Sequence, residues 1–481
     1  MVPEGKLSTL RSIYTAAGQG HIFNRIESLS QPELDAFIET IEAIDIENVV
    51  ANFNLAVKRS DSAAVVNKIS PLDQSEVASE VKDNPETVQS WYNEGLKKVA
   101  DNQVAAIVMA GGQGTRLGSS RPKGCYDVDL PSKKSLFNIQ ADRILGLQKV
   151  AAQYANKDPA LVKIFWLVMV SDATREDTIE YFKSMHFFGL DESQISFFEQ
   201  GSVPSFTFDG KLIMNGIGDL ALSPDGNGGI YKGLLTSKVY TELKTRNIQY
   251  FHVYSVDNIL VRVADPWLIG YSALKNAEFG ALALAKQSWD EKVGVICRSN
   301  GNYKVVEYSE IPEDLAKQTR PDGSLYYNAA NICNHFFTMD FLERSKTFDS
   351  KLPFHIAIKK IKNFDYDKNE LISPDEPNGI KLERFIFDVL QFCTKISILD
   401  VCRLKVFSPL KNAPGTGADC PETSRADLVA LHVKFAEDAG ATIEGDARSN
   451  FEISHSISYF GEGLESLKGR LFLEKTVLQQ I

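Results

Sequence analysis

The 481 residues are 43% hydrophobic and 24% charged, with a formal net charge of −11, and the length points to two or three domains. The acidic balance excludes broad electrostatic binding to nucleic acid or anionic membrane, and no apolar run reaches the ~18 residues of a membrane-spanning helix. Six scattered cysteines, none in C-x-x-C, exclude a disulfide framework and a structural zinc and predict a reducing, cytoplasmic setting.

Residues 1–100 read as a helical N-terminal region. In "SQPELDAFIETIEAI", Ser30 with Glu33 three positions on, and Pro32 in the first turn, form a capping box. Phe37, Ile38 and Ile41 follow at helical spacing. Residues 60–84 are polar, with few aromatics, and read as a loop or linker leading to a helix in "VQSWYNEGLKKVA". The N-terminal "MVPEGKLSTL" has no apolar stretch like that of a secretory leader.

The pattern changes near residue 101. "VAAIVMA" (104–110), "KIFWLVMV" (163–170) and "YFHVYSV" (250–256) are unbroken apolar runs of strand length, as in parallel strands buried on both faces. Between the first two, "SLFNIQADRILGLQKVAAQYA" has Ser135 as N-cap and a helical period, making a β-α-β unit. Residues 101–402 are therefore expected to form an α/β domain. Residues 403–481 read as a small α+β domain, with a helix ending at Gly440 and short strands in "ATIEG" and "SISYFGEG".

The first apolar run opens into "AGGQGTRLGSSRPKG" (110–124). The dinucleotide fingerprint fails, because its third glycine position holds Leu117. The P-loop fails too, since no glycine here precedes Lys and then Ser or Thr. What remains is Gly111, Gly112 and Gly114 at the carboxyl end of a buried strand, where backbone N–H groups can face a ligand. Arg116 adds a planar fork for phosphate oxygens, Lys123 a compact charge, and Pro122 a stiff approach. A triphosphate cradle is expected, with Arg121 merely solvated.

Asp257 follows the third apolar run, placed to hold Mg²⁺ over nucleotide phosphates. Glu307 follows two valines in a strand-like segment, where an acid needs solvent or a hydrogen-bonding ligand. His252, His335 and His355 invite a general-base role.

The loop resembles the signature of sugar-nucleotide pyrophosphorylases, G-x-G-T-R followed by Pro-Lys. Its detail, A-G-G-Q-G-T-R-L-G, is similar to the eukaryotic UDP-N-acetylhexosamine pyrophosphorylases. "FFEQG" (197–201), "SPDGNGGIYKGL" (223–234), "YSVDN" (254–258), "VVEYSE" (305–310), "NAANICNHFF" (328–337), "PNGIKLERFIFD" (377–388) and "FSPLKNA" (407–413) follow in family order. Ala330 departs from the glycine common there.

The resemblance implies a Rossmann-like, mostly parallel mixed sheet flanked by helices, of the GT-A-like nucleotidyltransferase kind. It places the nucleotide against Ala110, Gly111, Gly112, Gly114, Gln200, Pro224 and Gly226. It places the sugar against Asn227, Gly294, Glu307, Asn331, Phe385 and Phe387, and Lys411 at the α-phosphate. The implied reaction joins UTP and N-acetylglucosamine 1-phosphate into UDP-N-acetylglucosamine and pyrophosphate, with Mg²⁺ (or Mn²⁺) on Asp257. The attacking phosphate is already ionised near neutral pH, its second pKa being about 6, so no histidine base is required. Arg116, Lys123 and Lys411 then carry the catalytic charge. UDP-glucose or broad UDP-sugar synthesis, including N-acetylgalactosamine, is the alternative enzyme reading. A non-catalytic UDP-sugar sensor would be expected to lose Arg116, Lys123 or Asp257. Partners are expected to be small molecules, with no nucleic acid and no membrane, and the chain a monomer or weak homodimer.

Overall fold

The computed structural model describes residues 4–61, 69–308 and 310–480. The chain divides into two compact units. The larger comprises residues 68–199, 231–348 and 389–481, and the smaller residues 1–67, 200–230 and 349–388.

The larger unit is built on one mixed sheet. Its strands lie in the order Val77–Ser79, Ile396–Asp400, Phe279–Ala285, Ala329–Thr338, Tyr250–Ser255, Val104–Met109, Phe165–Val170 and Ile195–Glu199. Ala329–Thr338 runs antiparallel to both neighbours, and the other pairs along this path are parallel. Every residue of Val104–Met109 and Phe165–Val170 is buried, which is why their sequences show no alternation. The expected β-α-β unit is present, its helix spanning Leu136–Tyr154 with the Ser135 hydroxyl accepting from the Asn138 N–H at 3.3 Å. Two further helices, Pro85–Ala100 and Pro266–Leu274, touch backbone to backbone. A Cβ at Gly95 would lie 1.9 Å from the Pro266 oxygen, and one at Gly270 1.8 Å from the Trp91 oxygen.

The segment read as a linker differs from expectation. Of residues 60–84, those numbered 62–68 lie outside the described residues. Beyond them, Ile69–Ser70 pairs with Val295–Ser299, and Val77–Ser79 forms an edge strand of the main sheet. Strands of two or three residues carry too little pattern to be seen in sequence. Tertiary bonds hold them instead: the Ser79 hydroxyl donates to Asp400 at 2.9 Å, and Glu80 pairs with buried Arg262 at 2.6 Å.

The C-terminal helix spans Pro421–Asp438 and ends at Gly440, whose φ is +90°. Thr442–Ile443 is a strand, as "ATIEG" suggested, but "SISYFGEG" is a run of turns. There Gly461 and Gly463 have φ of +99° and +72°, and the Glu462 carboxylate accepts N–H groups of Tyr459 and Phe460. The strand lies earlier, at Phe451–Ile453, paired with Thr476–Leu478. This module shares one apolar cluster with Leu117, Leu136 and Ile139, so it supports the glycine loop from below.

In the smaller unit the helices Glu4–Ala16, Gln31–Glu42 and Ile46–Asp61 pack on a three-stranded sheet of His355–Lys359, Gly379–Glu383 and Phe206–Thr207. Phe37, Ile41 and Phe53 meet Phe206, Leu212, Ile380 and Leu382 in its core. The expected capping box is formed, the Ser30 N–H donating to Glu33 at 2.7 Å.

Candidate active site

The glycine loop leaves the sheet where the Ala110 N–H still donates to the Met169 carbonyl at 2.8 Å. The loop closes on itself. Gly114 N–H donates to the Arg121 carbonyl at 3.0 Å, and Lys123 N–H to the Gly112 carbonyl at 3.1 Å. Leu117 is 4% exposed and pins the loop to the apolar cluster beneath, leaving its neighbour Arg116 outside and exposed. The glycines have different reasons. A Cβ at Gly114 would sit 2.9 Å from the Arg121 oxygen, so closure of the loop demands glycine there. At Gly112 nothing lies within 4 Å, so its backbone is open to a ligand. Ser171, which the sequence did not single out, donates to the Gly111 carbonyl at 2.8 Å and fixes that peptide.

Lys123 reaches across the unit. Its ammonium donates to the Leu410 carbonyl at 3.0 Å and lies 3.5 Å from the Asp257 carboxylate. The lysine is thus held in place before any phosphate arrives. The "FSPLKNA" segment is laced to the turn after Tyr250–Ser255: Leu410 N–H donates to the Asp257 carbonyl at 2.9 Å, and Ser408 N–H to the Asn258 side chain at 3.0 Å. Lys411, next along, is exposed and borders a cavity of about 340 Å³ that Val293 and Ile332 also line.

Gly294, Glu307 and Asn331 also come together. The Asn331 N–H donates to the Gly294 carbonyl at 2.8 Å, and a Cβ at Gly294 would lie 3.0 Å from a Glu307 oxygen. Asn331 is 7% exposed. Two residues on, Cys333 adopts φ +52°, beside a register shift between Ala281 and Ala283. Its N–H donates to the Asn331 side chain at 3.3 Å. Burial first, then the charges of Asp257 and Glu307, push its thiol up to about 12, while Lys411 opposes them. Cys333 therefore lies within electrostatic reach of Asp257, Glu307 and Lys411. Nothing in the sequence flagged it except its place beside Asn331.

The other predicted residues lie in the smaller unit. Ser202–Pro204 pairs with Leu222–Pro224, and the Asp225 N–H donates to the Gly201 carbonyl at 2.9 Å, bringing Gln200 and Pro224 to the same end. Gly226 has φ +87°, and its Cβ would lie 2.3 Å from the Arg384 oxygen. The Asn227 side-chain oxygen accepts the Ile386 N–H at 2.9 Å, which turns the amide NH₂ the other way. The two phenylalanines part company. Phe387 is 6% exposed and packed, whereas Phe385 is half-buried and stacks on His355 at 4.3 Å.

Of the histidines, His252 and His335 are fully buried, and burial pushes both down to about 3. His252 accepts the Ala264 N–H at 3.1 Å and sits 2.6 Å from the Asn334 side-chain oxygen. They are core residues and take no part in proton transfer. A larger cavity, about 440 Å³, lies by Val77, Ser79, Asp400 and Arg320, and none of the predicted residues lines it.

A family model described as UTP–glucose-1-phosphate uridylyltransferase matches residues 47–437. The chain belongs to that family. Within the uridylyltransferases it is 40% identical over 482 residues to the UDP-N-acetylglucosamine pyrophosphorylase of Saccharomyces cerevisiae, covering 97% of this chain and 98% of the yeast protein. It is 39% identical over 472 residues to the UDP-N-acetylhexosamine pyrophosphorylase-like protein 1 of Xenopus tropicalis, covering 94% and 92%. The Trypanosoma brucei UDP-N-acetylglucosamine pyrophosphorylase structure superposes with a TM-score of 0.82 at 26% identity, covering 99% of each chain. The expected nucleotidyltransferase fold is that of these uridylyltransferases. Among the described residues no helix is long and apolar enough to cross a membrane.

Proposed function

We propose that this chain transfers the uridylyl group of UTP to N-acetylglucosamine 1-phosphate, releasing pyrophosphate. The observation that carries this reading is the grouping of Lys123, Asp257 and Lys411 with Gly294, Glu307 and Asn331 in one unit. Phosphate-binding charge and hydroxyl-binding side chains stand together there. The relatives named for N-acetylated sugars favour that sugar over glucose.

A phosphate oxygen of the sugar 1-phosphate attacks the α-phosphorus, and the bond from the α-phosphorus to the bridging oxygen breaks. No proton moves, so the work is positioning and charge stabilisation. Gly112, its peptide neighbour fixed by Ser171, lets the triphosphate approach the backbone. Arg116 and Lys123 stabilise the leaving pyrophosphate, and Lys411 the α-phosphate. Glu307 and Asn331 hold sugar hydroxyls. Gln200, Pro224 and Gly226 receive the uracil, and Asn227 donates to the sugar.

Among the described residues no three His, Cys, Asp or Glu side chains form a metal site. Asp257 alone fits Mg²⁺, which favours one or two carboxylates with phosphate oxygens and water. When bound, the ion would neutralise charge on the phosphates. The six cysteines are all free, which suits a reducing, cytoplasmic setting.

The test is pyrophosphate release with UTP, Mg²⁺ and a panel of hexose 1-phosphates. We expect the highest kcat/KM with N-acetylglucosamine 1-phosphate. Higher kcat/KM with glucose 1-phosphate would overturn the sugar assignment and leave the reaction. Binding of UDP-sugar without pyrophosphate release would overturn both.

A further inference from the structure

We propose that His355, held by Asp388 and stacked on Phe385, is a positioning residue that sets the enzyme's preference for the N-acetylated sugar. This rests on the reaction proposed above. His355 opens the strand His355–Lys359 and lies opposite Glu383, two residues before Phe385. Its Nε2 is 3.0 and 3.1 Å from the two Asp388 oxygens. Its ring lies 4.3 Å from the Phe385 ring, at 25°. The same Asp388 carboxylate accepts the Phe385 backbone N–H at 2.8 Å. One carboxylate therefore fixes both the ring that covers Phe385 and the backbone that carries it.

The next N–H along, that of Ile386, is the donor that orients Asn227. Phe385 and Asn227 are thus set by adjacent peptides. The Asp388 side chain is 8% exposed, so its bonds are shielded from competing water. The Nε2–carboxylate contact holds the ring flat against Phe385. Phe385 cannot swing without losing this stack, because Phe387 stands 5.2 Å away on the packed side. A fixed apolar ring accommodates an acetamido methyl better than a bare hydroxyl, whereas a loose one discriminates less.

The test is steady-state kinetics of the purified full-length chain with UTP, Mg²⁺ and either N-acetylglucosamine 1-phosphate or glucose 1-phosphate. For His355→Ala we expect KM for the N-acetylated sugar to rise about tenfold, the size of one lost apolar contact. KM for UTP should stay put, and the preference between the two sugars should fall by a similar factor. His355→Phe, which keeps a ring over Phe385, should recover most of the preference. Asp388→Asn should shift it in the same direction by less. Unchanged sugar KM and preference in His355→Ala overturn the proposal. So does a common rise of both KM values with a lower melting temperature, which marks a merely structural residue. A wild-type chain inactive on N-acetylglucosamine 1-phosphate overturns the proposed reaction, and this proposal with it. An active wild type with unaltered variants overturns this proposal alone.

Discussion

The two glycine-rich loops, residues 111–118 and 224–229, look alike as strings and are built for different ends. In the first, Gly112 faces open space and Leu117 anchors the loop below. In the second, Gly226 and Gly228 are pressed against the Arg384 backbone, with Cβ positions 2.3 and 2.8 Å from it or its Cβ, and Gly229 against Asp225. In the first loop Gly114 is needed for the loop to close, and Gly112 leaves its backbone open. The second uses glycine so that another stretch of the same chain can come close, and that contact then places Asn227 beside Ile386. A loop whose glycine faces open space and one whose glycines face packed chain share a composition because both need backbone without side chain.

The largest expected effect lies beside the first loop. Lys123→Ala should lower kcat by about a thousandfold, as when a preset charge-stabilising donor is removed, while sugar 1-phosphate KM changes little. Near wild-type kcat would show that Lys123 serves only Asp257 and Leu410.

The sharpest contrast is a paired substitution. Gly226→Ala puts a Cβ into the Arg384 carbonyl at a left-handed φ, and should destabilise the chain by ~3 kcal/mol in denaturant unfolding. Gly112→Ala meets nothing within the protein, and should change stability by less than about 0.5 kcal/mol. It should instead reduce kcat/KM for UTP by roughly 10- to 100-fold. Equal stability losses in the two variants would erase the distinction between the loops.

Acid provides the most diffuse test, because its effect is spread over four separate groups. His252, His335 and His432 are pushed down to about 3, and His455 well below its ordinary value, all chiefly by burial. The folded chain leaves them neutral where the unfolded chain would protonate them, near pH 6.5. Stability should therefore be complete above pH 7 and fall as pH drops through 6.5 toward 3. At pH 5.5 each group costs up to about 1.4 kcal/mol. All four lie in the larger unit, so acid should loosen the frame of the first loop. A melting temperature flat from pH 8 to pH 5.5 would contradict this.

Much of the frame was legible beforehand. The runs at 104–110, 163–170 and 250–256 became central strands because burial on both faces leaves a local, uninterrupted apolar signature. Asp257 and the glycine loop were readable because both sit at carboxyl ends of such strands. The edge strand Val77–Ser79 was not, since three residues carry no period. Nor was the difference between Phe385 and Phe387, which share a motif and differ only in what packs on them. Ser171 and Cys333 gave no signal, because their roles depend on a neighbouring peptide and on a positive φ inside a strand.

Sequence alone settled the α/β class, and it pointed to a phosphate loop and to residue types suited to uridylyl transfer, because each is written in short contiguous stretches. Tertiary structure alone decided which of those residues meet. Lys123 is held by the carbonyl of Leu410, 287 positions away, and that meeting depends on sheet order, which no local pattern encodes. It also decided which glycines face open space and which are filled by chain, a matter of packing against distant backbone rather than of turn propensity.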